Sequence, residues 1–169
     1  MEADNAGLIV KEKPLQMNDG RIKGKRVAIR RDIRTTRQKG EVLLEELEHA
    51  YSTCGDILDQ SVPLNRMQEL RARRRAYKRQ VTLPAIIEAY EAGCTTLYEV
   101  SEQLDISEQF LTRALAYYAG KYGPAPARWG QYLVFFAPAL RVMKLLEGPA
   151  PVKTKNELLC AVTHKAARR

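Results

Sequence analysis

The run Glu45-Glu46-Leu47-Glu48-His49, with Glu69 twenty residues past the histidine, constrains this chain more than any other stretch. At about 100° per residue, helical positions i and i+4 fall about 40° apart, so Glu45 and His49 share one face. Glu46 sits at the border of an apolar stripe made of Leu43, Leu47, Ala50 and Tyr51. A helix that buries this stripe points Glu45, Glu46 and His49 toward one space. The pattern is H-E-x-x-H with its first histidine replaced by Glu45, and in the usual form the two end positions ligate zinc while the glutamate is a general base. A third ligand must come from another helix. Glu69 fits, because Ala72 and Ala76 follow it at i+3 and i+7 and let two helices approach closely. Spacing alone leaves a second reading open, in which Glu41, Glu45 and Glu48 form an ordinary solvated acidic face.

Around this pair the chain punctuates itself. Gly7 to Lys13 alternates like a strand, and Arg21-Ile22 and Val27-Ala28-Ile29 flank the turn Lys23-Gly24-Lys25, which together suggest a small antiparallel sheet. Thr35 and Gln38 form a capping box ahead of the motif helix, which Gly40 weakens and Gly55-Asp56 breaks. Val62-Pro63 and Asn65 open a second helix running to about Gln80, and Pro84 begins a third that Gly93 ends.

The segment 96–118 has the shape of a helix-turn-helix. Thr96 and Glu99 make a capping box, Leu97, Val100 and Leu104 give an apolar face, and Asp105-Ile106-Ser107 turns into a helix faced by Phe110, Leu111, Ala114, Leu115 and Tyr118. A DNA reader would place the start of that second helix in the major groove. Its opening residues include Glu108, of the wrong sign for phosphate, so the unit reads as packing. Tyr132 to Phe136 is an apolar strand, ended by Pro138, expected to return to the N-terminal sheet. Gly148-Pro149-Ala150-Pro151 reads as a linker. The segment 143–169 is then a basic tail, in which His164 has no companion ligand.

Composition narrows the class. A chain of 169 residues, 45% hydrophobic, supports one core plus a tail. No run approaches the roughly 20 apolar residues of a membrane span and the start Met1-Glu2-Ala3-Asp4 is unlike a secretion signal, so a cytoplasmic protein is expected. Cys54, Cys94 and Cys160 offer neither a disulfide framework nor a cysteine metal site. The 28 Lys and Arg against 20 Asp and Glu leave a net charge of +8, concentrated in Arg21–Lys39, Arg66–Arg79 and the tail. Such a balance suits nucleic acid or an acidic partner, although Arg71, Arg73, Arg74, Arg75, Lys78 and Arg79 read equally well as a solvated helix face.

Several stretches then agree, in order, with one family. They are Ala6-Gly7-Leu8-Ile9-Val10, Gly20-Arg21-Ile22-Lys23-Gly24, Thr35-Thr36, Leu44-Glu45-Glu46-Leu47 with His49, and Gly55-Asp56-Ile57-Leu58-Asp59-Gln60-Ser61. They continue with Gln68-Glu69, Arg71-Ala72-Arg73, Ala76-Tyr77, Ile86 to Cys94, and Lys121-Tyr122-Gly123. In these the chain, from about Ala3 to Val142, resembles the ImmA/IrrE metallo-endopeptidases in their prophage and integrative-element variant. The resemblance implies a zincin-like α+β domain over 1–142, mostly helical with a small N-terminal antiparallel sheet and a C-terminal strand. It implies Glu46 as general base and Glu45, His49 and Glu69 as metal ligands. Glu45 stands where most members carry histidine, and Glu48 replaces a glycine.

An intact site of this kind hydrolyses peptide bonds, the metal polarising the carbonyl and activating water while Glu46 accepts its proton. The resemblance implies zinc, but two carboxylates and one imidazole neutralise the dication and shift preference somewhat toward harder cations such as manganese. Slow, selective proteolysis follows, with Tyr51, Tyr77 and Tyr90 as candidates to stabilise the oxyanion. The partner implied by the resemblance is a helix-turn-helix repressor that keeps a mobile element silent. Two other readings are a non-catalytic anti-repressor that binds without cutting, and a DNA-binding regulator.

Overall fold

The structure, a computed structural model, describes residues 7–52 and 63–146. The Gly55–Ser61 stretch, Cys54, Cys160, His164 and nearly all of the basic tail lie outside the described residues.

Strands β1 (Ile9–Lys13), β2 (Gly20–Lys23) and β3 (Arg26–Arg30) form one sheet in the order β1-β3-β2. The sheet is mixed, not antiparallel as expected. β2 and β3 are a hairpin turned at Gly24, whose φ of 57° is costly for a residue bearing a Cβ, but β1 pairs parallel to β3 with Val10 opposite Val27. The long link between β1 and β2 lets the first strand cross to the far edge, so β2 is an edge strand.

Helix α1 (Thr36–Ser52) carries the motif and α2 (Pro63–Gln80) carries Glu69. Thr35 caps α1 by accepting from the Gln38 N–H at 3.2 Å. The expected stripe on α1 is not the buried side: Leu47 is buried, but Ala50 is exposed and Tyr51 is 66% exposed. The reason is that α1 is enclosed from several directions, none of them wholly apolar. Val42 and Glu46 lie under Gly20 of β2, Glu48 pairs with Arg79 of α2 at 3.1 Å, and Leu44 packs on the main core. Ala72 and Ala76 are fully buried, as close helix approach requires.

Helices α3 (Leu83–Glu91), α4 (Leu97–Gln103) and α5 (Glu108–Tyr122) follow as the punctuation requires. Thr82 caps α3 with a proline in the first turn, and Thr96 with Glu99 completes both halves of a capping box on α4. Their apolar faces meet Tyr77 and Val81 in one core around Ile86, Ile106, Phe110 and Leu111. Inside it the Tyr118 hydroxyl donates to the Val81 carbonyl at 2.7 Å, satisfying a group that would be costly to bury alone.

The C-terminal strand does not return to the first sheet. β4 (Ala127–Trp129), β5 (Tyr132–Phe135) and β6 (Arg141–Lys144) form a second antiparallel sheet in chain order. Gly130, at φ 56°, lets β4 and β5 pair locally, which closes a far shorter loop than reaching back to β2. Val134 is fully buried and Phe136 nearly so, against the helical core. The fold is therefore mixed α+β, with helices between two three-stranded sheets. Among the described residues no helix is long and apolar enough to cross a membrane.

Candidate active site

The face of α1 bearing Glu45 and His49 opens into a cleft of about 1090 Å³, roofed by β2 and walled by α2 and the exposed side of α5. Glu45, Glu46, His49 and Glu69 all line it. The His49 Nε2 lies 3.0 Å from Glu69 Oε2, so the imidazole and the carboxylate from the two helices meet. Among the described residues, however, no three His, Cys, Asp or Glu side chains are closed around a point at ligand distances.

What stands among the acids instead is Arg73, one turn beyond Glu69. Its Nη2 lies 2.8 Å from Glu69 Oε1 and its Nε 4.0 Å from Glu45 Oε2. Arg113 of α5 also lines the cleft and helps keep Glu45 charged, although burial as the larger effect raises the Glu45 pKa overall.

Glu46 is held differently. A Cβ on Gly20 would lie 2.7 Å from Glu46 Cγ and 2.8 Å from its Oε1, so only glycine lets the edge strand sit on this side chain. The Ile22 N–H donates to the same carboxylate, but burial outweighs that bond and lifts the Glu46 pKa to about 7. A carboxylate balanced near neutrality suits proton transfer at physiological pH. His49 loses charge stability to burial, yet the Glu69 hydrogen bond and the neighbouring carboxylates carry its pKa upward. Glu69 is correspondingly lowered, first by that hydrogen bond.

Glu48 pairs with Arg79 and does not line the cleft, so its bulk leaves the cavity open. The tyrosines do less than expected. Tyr51 and Tyr90 are exposed, Tyr77 belongs to the core with its ring 5.2 Å from Phe110, and none lines the cleft. Sequence reasoning missed Gly20, Arg73 and Arg113. Gly20 had a signal, a glycine inside a strand pattern, which often marks close backbone approach.

The donor set suits a divalent cation. The His49 imidazole meets the Glu69 carboxylate, and the Arg73 guanidinium lies against Glu69 and 4.0 Å from Glu45, so a cation entering there would have to displace that guanidinium. His49, Glu69 and Glu45 are the residues that would hold a metal there. No family model, curated relative or solved structure matches this chain.

Proposed function

We propose that this chain is a metal-dependent endopeptidase of regulatory type, zinc or manganese serving as the metal, acting on the helix-turn-helix repressor of a prophage or integrative element. The meeting of His49 and Glu69 at 3.0 Å, beside a Glu46 whose pKa lies about 7, carries the peptidase reading. The repressor as substrate rests on the family resemblance. His49, Glu69 and Glu45 would hold the metal, which would supply Lewis-acid polarisation of a peptide carbonyl and of the attacking water. Glu46 takes up the proton on its carboxylate, and the Ile22 N–H with the Gly20 approach fixes that carboxylate's orientation. The edge strand β2 orients an extended peptide across the cleft mouth. Metal analysis of the purified protein, with cleavage of the neighbouring repressor by wild type and Glu46→Gln, tests it. Wild type alone should cut; equal repressor loss with both proteins excludes the mechanism.

One observation favours the second reading, a binder that does not cut. Arg73 already neutralises Glu69 and leans on Glu45. A protein that carries no stoichiometric metal and still releases the repressor from its operator supports this alternative. The DNA-binding reading is weakened by the start of α5, where Ser107 donates through both its N–H and its hydroxyl to Glu41 of α1. That end is occupied by protein rather than offered to a groove.

A further inference from the structure

The cleft has an acidic floor and a basic rim. Glu45, Glu46 and Glu69 lie at its base, while Arg21 and Lys23 on β2, Arg34 after β3, and Arg113 on α5 line its margins. Among the described residues these four cations make no ion pair, unlike Arg30, which holds Asp19 at 2.8 Å. All four are exposed. Arg113 acts on Glu45, and Asp32 also lines the opening, so the positive excess lies with Arg21, Lys23 and Arg34, and it raises the local concentration of an anionic partner. The floor restricts which anion enters. A nucleic acid carries a charge at every phosphate, about one per 1.7 Å of duplex axis, and would set some of them against the half-buried carboxylates of the floor. A peptide carries charge only where its sequence puts it, so its neutral backbone can cross the floor while side chains reach the rim.

We propose that the cleft selects extended peptide segments with Asp or Glu on both sides of a neutral centre. This rests on the peptidase reading for its chemistry but concerns binding alone. The test uses the full chain as Glu46→Gln, which does not cut, and fluorescein-labelled twelve-residue peptides with acidic, neutral or basic flanks around one alanine-rich centre, read by fluorescence anisotropy. Exposed ion pairs contribute modestly each, so the acidic peptide should bind about tenfold tighter than the neutral one, with a preference that shrinks as salt rises. Arg21→Glu with Lys23→Glu should remove or invert that order, and Arg34→Glu provides a second reversal should the first variant fail to fold by circular dichroism. Equal affinity for the three peptides overturns the proposal, as does an order unmoved by charge reversal in a folded variant. Duplex DNA that displaces the acidic peptide at lower concentration than unlabelled peptide overturns it in favour of nucleic acid. If the order holds but metal-loaded wild type leaves the neighbouring repressor uncut, the peptidase reading fails while this one stands.

Discussion

Gly20 and Glu46, in contact where β2 crosses α1, decide whether the Glu46 carboxylate is positioned by steric fit. Gly20 has no room for a methyl group, since Val42 Cγ1 would lie 2.6 Å from it and the Glu46 side chain hardly farther. Gly20→Ala should cost about 1–3 kcal/mol through overpacking and displace the Glu46 carboxylate. Urea unfolding checks the first effect, and a wild-type midpoint would remove the argument for contact. Glu46 itself predicts a pH dependence in the metal-free protein. Its folded pKa of about 7 exceeds the ordinary carboxylate value, so the folded state keeps a proton that the unfolded chain has released. That contribution is complete below the unfolded value near 4.5 and is lost as pH rises through about 7. Glu46→Gln should therefore gain on the order of 1 kcal/mol over wild type at pH 8 but little at pH 4, after allowance for partial solvent exposure. Parallel thermal melts at the two pH values decide it; a constant difference between the proteins contradicts the burial argument.

Helix α1 is an element whose polar residues anchor it. Glu41, 8% exposed, accepts from both donors of Ser107, and Arg37 pairs with Glu102 and Asp105, so the motif helix is tied to the α4–α5 unit at its first turns. Glu41→Ala leaves the Ser107 groups without their carboxylate and should lower stability by about 1.5–3 kcal/mol, whereas Arg37→Ala, at an exposed pair, should cost under about 1 kcal/mol. Guanidinium titrations of both variants check the ranking. The starts of α3 and α4 were legible because their signals are local, Pro84 in the first turn of one and the Thr96 and Glu99 capping box on the other. The buried side of α1 was not. Hydrophobic periodicity assumes one apolar neighbour, and α1 has a strand, α2 and α5 around it.

At the level of the whole molecule, strand pairing was the least legible feature. Alternation identifies a strand but not its partner, so the apolar run at Tyr132 was assigned to the wrong sheet and β1 to the wrong direction. That Glu45 and His49 face one cleft was legible because i and i+4 share a helix face. Arg73 was hidden among five neighbouring cations that look alike in sequence. Its location bears on folding as a whole. With Glu69 already compensated, the chelated protein should keep its helical circular dichroism, and saturating zinc should then add about 2.7 kcal/mol at a hundredfold excess over Kd. Calorimetric scans with and without chelator read both effects, and His49→Ala should abolish the second alone. Collapse of the fold on chelation would mean that the guanidinium is no adequate substitute.

A molecule that keeps a tethered cation among its acids has a spare key permanently in its lock. On the peptidase reading proposed above, it would fold and persist in an idle form while the ion is scarce, and loading would be an exchange of one positive group for another. Supply of the ion, more than supply of the polypeptide, would set when such a protein starts to work.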